Sequence, residues 1–523
     1  MKTSSFDPIE LELFKNIFVS ISEEMGAVLG RTALSPNIKE RKDFSCALFN
    51  SKGETFAQGS HIPVHLGAMP LSVQAALTAV EFEEGDMVLL NDPYKGGTHL
   101  PDLTCISPVF FNRKLVFFVA NRAHHSDIGG MSPGSMPLAT EIIQEGLIIP
   151  PVKIVRRGKF DADILNLILA NVRTAEERKG DLLAQVAANQ KGKQRLEETV
   201  KKYGLQKINI YSRFIQEYCE GILRKTIQDI PDGTYTFNDY LDDDGITDEP
   251  VRIAVKLTIR NDEVEIDFSS SASQVEGGVN ANFAVTSSAV LYVFRSLIEE
   301  DIPFNTGLMK PLQILAPAGS VVNALYPAAT AGGNVETSQR IVDVLLGALA
   351  QAVPGKIPAA SSGTMNNIAF GGYNPVHKTN FAYYETIGGG MGASPFFDGL
   401  SGVHTHMTNS LNTPMEALEN YLPMRIKSYA LRKASGGAGA KKGGQGIIRE
   451  YEFYVPTQVS IISERRKFAP FGLSGGENGR KGKNILFRKN KKIVLGSKAN
   501  FKMYPKDVLR IETPGGGGYG RKK

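Results

Sequence analysis

A chain of 523 residues that is 42% hydrophobic and 22% charged holds enough apolar side chains for two or three domains' worth of core, which excludes wholesale disorder. Its formal net charge of +5 is too small to mark a nucleic-acid protein, and three widely spaced cysteines (Cys46, Cys105, Cys219) form no CxxC motif and no disulfide framework, which fits a reducing, cytoplasmic setting. No run of about 18 apolar residues occurs, so no membrane span is expected, and the opening Met1–Phe14 lacks the apolar stretch and small-residue site of a secretory signal.

In chain order, Asp7 suits a helix cap, Pro8 the first helical position and Glu10 the third. Ile9, Leu13, Ile17 and Ile21 recur at helical spacing, with Phe14, Phe18, Met25 and Val28 widening the face. A second helix is expected from Met69 to Val80. Met87–Leu90 reads as a short strand before the turn-like Asn91–Gly97. Leu103–Phe111 and Leu115–Asn121, separated by Asn112-Arg113-Lys114, read as a hairpin. From about Asp161 to Gln228 the pattern gives two or three helices, broken near Gly180 and Gly204. Val251, Ile253, Val255, Leu257 and Ile259 alternate as a strand should, and Val264, Ile266 and Phe268 repeat the pattern. Phe283–Glu299 and Ser338–Val353 read as helices; beyond Pro354 the chain is rich in Gly, Ser and Asn, with short β runs.

The fold expected is α+β, with mixed β-sheet regions, a central helical segment and a Gly-rich β C-terminal region. Residues 1–230 are read as an N-terminal α+β domain and residues 231–523 as a β-rich domain ending in a Gly-rich, basic lobe. From Arg425 onward 24 Lys and Arg face 6 Asp and Glu, net +18, which leaves −13 for the rest. Such asymmetry reads either as a solvated lobe or as a surface for an acidic partner or phosphate-rich ligand. No nucleic-acid motif accompanies it.

The densest polar constellation is Asn91–Asp102 with Ala120–Gly130. A hairpin turn centred on Asn112-Arg113 makes paired residue numbers sum to about 225, so Asp102 faces Ala123 and Pro101 faces His124. His99 and Asp102 then approach His124 and His125. Two imidazoles and a carboxylate suit a divalent metal such as Mn, Fe or Zn; a metal-free polar cluster is the alternative. Neighbouring residues on a strand face opposite ways, so only one of His124 and His125 is a ligand. Asp43, ahead of an apolar run, is a candidate base, ligand or turn carboxylate. His61 and His65 flank Pro63 as structural or substrate-lining groups. His404 and His406, as His-x-His on a strand, would share one face. The Gly-rich Ser435–Gly446 and Thr513–Gly520 read as anion cradles or as loops of close backbone approach. No GxxxxGK[ST] motif or GxSxG elbow occurs.

Taken together and in order, these motifs resemble the hydantoinase B/5-oxoprolinase family. The matching pieces include Arg41–Ser45, His61–Met69, Asn91–Tyr94, Gly97–Asp102, Ala120–Gly130, Pro133–Ser135, Gly180–Leu182, His404–Asn409, Ser435–Gly437 and Thr513–Gly520. The resemblance implies a B-type component of an ATP-dependent cyclic-amide hydrolase that opens 5-oxoproline, hydantoin or a related lactam. It implies a hetero-oligomer with an A-type subunit that binds the ATP, in keeping with the missing phosphate loop; no cofactor-binding residue is assigned in this chain. The alternative it carries is a subunit of an ATP-dependent ketone carboxylase. Carried over residue by residue, the metal ligands are His99, Asp102 and His124. In that scheme Asp43 or Asp127 is the general base, Arg122 or His125 stabilises negative charge, and His65, His404 and Asn409 contact substrate. The chain departs from the family at Asp267–Gln274 and at Ser410-Leu411-Asn412, so the resemblance does not fix 5-oxoproline as the ring.

Overall fold

The computed structural model describes residues 7–59 and 61–522. Helix α1 (Pro8–Thr32) starts where its signals say: the Asp7 carboxylate accepts the Ile9 N–H at 2.9 Å. Its buried stripe is Leu11, Phe14, Phe18, Ile21, Met25 and Leu29, whereas Ile9 is 80% exposed and Leu13 44%. The face is therefore rotated from the expected Ile9–Leu13–Ile17 line. Phe14 and Phe18 bury more area than the residues they displace, and they take the core side.

A single turn, α2 (Pro36–Lys39), leads to β1 (Phe44–Asn50) and β2 (Thr55–Gln58), and α3 (Met69–Ala79) matches the expected second helix within a residue. With β3 (Met87–Leu90), β4 (Asp102–Phe111), β5 (Lys114–His124), β6 (Val152–Arg156) and β7 (Lys159–Phe160) these strands form an antiparallel sheet in the order β2-β1-β5-β4-β3-β6-β7. One face carries Val88, Ile106, Phe118 and Ala120 against Met69, Val73 and Ala76 of α3.

The helical segment is α4 (Ala162–Ala170), α5 (Ala175–Tyr203) and α6 (Leu205–Gln228). Helix α5 packs between α1 and the other face of the sheet. The break falls at residues 171–174 and at Gly204; α5 runs straight through Gly180. A Cβ on Gly180 would lie 2.3 Å from Leu34 Cδ1, and one on Gly192 2.3 Å from the Met25 sulfur. These glycines allow close packing and do not interrupt the helix.

Strands β8 (Gly233–Leu241), β9 (Val251–Arg260), β10 (Glu263–Asp267) and β11 (Leu312–Leu315) form a second sheet in the order β11-β10-β9-β8, with β10 and β11 parallel. Helices α7 (Phe283–Ser296) and α8 (Ser338–Ala352) pack on each other, and a π-turn at Gly333–Thr337 leads into α8. The C-terminal region holds a four-stranded and a five-stranded sheet. There the two Gly-rich stretches lock together: Gly437 N donates to Gly516 O at 2.8 Å and Gly516 N to Gly444 O at 3.0 Å. A Cβ on Gly515 would sit 1.9 Å from Ser435 O, so side chains would separate these backbones. The architecture is α+β, and its largest apolar cluster draws on α1, α6, β9 and α8 together.

The detail that positions the site is in the β4–β5 hairpin. Phe110 faces Leu115 and Phe111 faces Lys114, the expected sum of 225. Then Val109 pairs with Phe117, so Val116 is an extra residue, and every later pair sums to 226. Asp102 therefore faces His124, not Ala123. A one-residue bulge exchanges which residues are opposed and puts this carboxylate and this imidazole on one face.

Candidate metal centre

His99 lies in the loop three residues before β4, Asp102 begins β4 and His124 ends β5. His99 Nε2 lies 3.3 Å from Asp102 Oδ1 and 3.2 Å from His124 Nδ1, and His124 Nδ1 lies 3.2 Å from Asp102 Oδ1. All three residues are buried, and among the described residues they are the one group of His, Cys, Asp and Glu able to hold a metal ion. An ion with bonds of about 2.0–2.2 Å spaces neighbouring ligands about 2.8–3.6 Å apart, which these separations match. The far nitrogens, His99 Nδ1 and His124 Nε2, are buried without a hydrogen-bond partner; the fit to an ion rests on the converging pair, His99 Nε2 and His124 Nδ1, with Asp102 Oδ1. The donor set fits a divalent metal.

The second carboxylate oxygen is held separately. Thr98 Oγ1 donates to Asp102 Oδ2 at 2.6 Å, and His65 Nε2 approaches it at 3.4 Å. The Ser45 hydroxyl meets His65 Nδ1 at 2.9 Å and fixes that ring. Oδ1 is thereby left to the two histidines. Burial pushes the Asp102 carboxyl up, but the imidazoles of His99, His65 and His124 outweigh it and hold it well below the usual carboxylate range. Burial also lowers His124, against the pull of Asp102 and Asp43, so this ring is neutral and its lone pair is available. Thr98→Val keeps the shape and removes the donor. It is expected to weaken metal binding about tenfold to a hundredfold, measured by competition with a chelator; unchanged affinity would contradict the assigned role.

The trio opens on a cavity with about 20 Å³ for the centre of a water-sized sphere, room for one ion or water. Asp43 and His65 line it together with Asn334, Met365, Tyr384, Thr386, Met407 and Thr408. The Tyr384 ring stacks on His124, centroids 4.5 Å apart and planes at 23°, while its hydroxyl donates to Asn367 Oδ1 at 2.7 Å. Fully buried Arg41 closes the wall by donating to Tyr384 O at 2.8 Å, Thr386 Oγ1 at 2.9 Å and Leu411 O at 3.1 Å.

Other expected site residues do not converge here. His125 is on the α5 face of the sheet, with Nε2 at 3.0 Å from Gln185 Oε1, and burial and Arg178 lower it to about 4. Asp127 accepts from Arg173 Nη1 at 2.9 Å and from backbone N–H groups of Gly129, Gly134 and Arg173, so it organises a loop. Arg122 is one step back on the Asp102 face, held to Thr104 Oγ1 at 2.8 Å and Ser72 Oγ at 2.7 Å. His404 and His406 lie in a loop instead of on a strand: His406 has a φ of 60° and its Nδ1 meets the Tyr292 hydroxyl at 3.3 Å. Asn409 is exposed, its amide reaching His61 O at 3.2 Å. Sequence reasoning leaves the wall residues Asn334, Tyr384 and Thr386 unmarked. The π-turn that carries Asn334 has no periodic signal, and the composition Gly-Asn-Val-Glu-Thr is its one trace.

The chain matches the family model Hydantoinase B/oxoprolinase over residues 7–522. It is 42% identical to 5-oxoprolinase 1 of Arabidopsis thaliana over 98% of this chain but 42% of that protein. It is 31% identical to a protein of Pseudomonas sp. (strain NS671) named as the putative B-type component of a D-/L-hydantoinase, over 98% of this chain and 90% of that one. Among solved structures it superposes on the ATP-dependent caprolactamase from Pseudomonas jessenii with a TM-score of 0.92 and 28% identity, covering 99% of this chain and 92% of that one. An acetone carboxylase structure shares the fold, with a TM-score of 0.89 and 18% identity, covering 99% and 76%. Among the described residues no helix is long and apolar enough to cross a membrane.

Proposed function

The chain belongs to the hydantoinase B/oxoprolinase family, and on that premise we propose that it is the ring-opening component of an ATP-dependent cyclic-amide hydrolase. The observation that carries the reading is the buried convergence of His99, Asp102 and His124. The chain spans about two fifths of the length of the plant 5-oxoprolinase. The relative from Pseudomonas sp. that it covers to 90% is named as a B-type component, which supports assigning the ATP chemistry to a separate A-type subunit, with which this chain forms a hetero-oligomer in the cytoplasm. Relatives named for cyclic amides, at 31% and 42% identity, favour hydrolysis over the ketone carboxylase alternative, for which the likeness is one of fold.

A lactam resists water because amide resonance stabilises it and an amine leaves poorly. ATP-dependent phosphorylation of the carbonyl oxygen, in the partner, removes the first obstacle. A divalent metal held by His99, Asp102 and His124 would supply Lewis acidity toward an oxygen of the substrate or of water. Asp43 lines the cavity with its carboxylate 4.0 Å from Arg41 Nη2, a position from which it takes a proton from the attacking water. His65, fixed by Ser45, holds Asp102 in register. The Asn334 side-chain carbonyl is buried without a partner beside the cavity, and it accepts an O–H of the attacking water. Tyr384, Met365 and Met407 exclude bulk water.

The test is reconstitution of the full chain with an A-type subunit, ATP and a panel of 5-oxoproline, hydantoin and caprolactam. Ring opening coupled to ADP formation, requiring both chains, is expected. A reconstituted complex that opens no ring but consumes bicarbonate with a ketone would overturn the reading in favour of carboxylation.

A further inference from the structure

The metal cavity admits an ion or a water but no ring, so a substrate must be held beside it. A cleft of about 630 Å³ lies there, a volume in the usual range for small-molecule sites. Three chain segments form the partition between the two. At each, one residue lines the cleft and its neighbour lines the cavity: Lys42 and Phe44 against Asp43, His61 against Ile62, and Asn409 against Thr408. The partition is one residue thick.

The cleft is cationic. Arg31, at the end of α1, Lys39, at the end of α2, and Lys42, in the turn that follows, all line it. Among the described residues none of the three makes an ion pair. The carboxylate in the lining, Glu23, has His61 Nε2 at 3.7 Å. These cations occur in the part of the chain that carries net −13, where a random surface would oppose acidic groups to them. Positions at helix ends account for Arg31 and Lys39 through the carbonyl dipoles, but not for Lys42 or for the convergence of all three.

We propose that this cleft is an oxyanion-binding antechamber, built to hold a phosphoryl group on the substrate while the ring faces the metal cavity. Three positive charges suit a dianionic phosphoryl better than a single carboxylate. The inference rests on the proposed hydrolase reading, because an ATP-activated ring carries such a group.

The experiment uses the full chain stripped of metal with a chelator, so that no anion is bound through a metal. Inorganic phosphate is titrated by calorimetry, with acetate as the monoanionic comparison. Phosphate is expected to bind more tightly than acetate, to weaken as salt is raised, and to weaken roughly tenfold or more in Arg31→Gln/Lys39→Gln, whose side chains are exposed and whose fold should persist. Absence of phosphate binding, equal binding of acetate, or unaltered binding in the double variant would overturn the proposal. Metal uptake by the double variant is measured alongside and should equal that of the wild type. Failure of the wild type to take up metal would remove the hydrolytic reading while leaving the phosphate result standing.

Discussion

Asp102→Asn is expected to reduce ring-opening turnover about a thousandfold or more while leaving the fold intact. The substitution is isosteric, and Asp102 lies at the first residue of β4, paired with His124 at the end of β5, so the sheet need not move. What is lost is charge. An amide at this position faces the two imidazoles at 3.2–3.3 Å and brings no negative charge to hold a cation. It also turns an N–H donor toward Thr98 Oγ1 or toward the His99 and His124 nitrogens, where it competes with a metal for a ring lone pair. Lewis-acid assistance supplies several kcal/mol, and about 1.4 kcal/mol corresponds to a factor of ten in rate. Steady-state kinetics of the reconstituted enzyme, with the far-ultraviolet spectrum and melting temperature as controls for folding, check this. Turnover within tenfold of wild type would mean that the carboxylate does not serve the reaction.

Arg449→Met has the largest expected effect on stability, a loss of about 3–5 kcal/mol. Arg449 and Glu385 are both fully buried, and the guanidinium donates to the two carboxylate oxygens at 2.9 and 3.1 Å. Tyr451 and Asn412 also donate to that carboxylate. Removing the arginine leaves an anion in the interior with neutral donors alone. The effect reaches the site because Glu385 sits between Tyr384 and Thr386, two wall residues of the metal cavity. Glu385→Gln in the Arg449→Met background removes the stranded charge, so the double variant should recover at least ~1 kcal/mol relative to Arg449→Met alone. Urea unfolding of the three proteins measures both quantities; a single-variant loss below ~1 kcal/mol would show that the pair contributes little.

Much of the fold can be read from periodicity and caps. Asp7 and Pro8 start α1, alternation marks β9 and β10, and Asn112-Arg113 turns the hairpin. Periodicity alone misplaces the exposed side of α1, because it weights β-branched Ile9 and Ile17 equally with the larger Phe14 and Phe18. Gly180 looks like a breaker because propensity is local, whereas the reason for a glycine there is Leu34, far away in sequence.

The convergence of His99, Asp102 and His124 is legible because a hairpin is a local device: turn position and pairing register bring residues 22 apart in sequence to within 3.2 Å. The expected register is one residue off because nothing in the sequence around Val116 announces a bulge. His125 cannot be distinguished from His124 without it, and the structure turns His125 to Gln185. The C-terminal wall of the cavity is not legible. Tyr384, Thr386 and Asn334 approach the trio through sheet order and helix packing, more than 200 residues away, and no spacing rule spans such a distance.

Metal content of the purified chain, wild type beside His99→Ala/His124→Ala, tests the central claim most directly. Near one divalent ion per wild-type chain, of Mn, Fe or Zn, and its loss in a double variant that remains folded, is the predicted result. A wild-type chain that retains no metal and takes up none when each of the three ions is supplied would contradict the account.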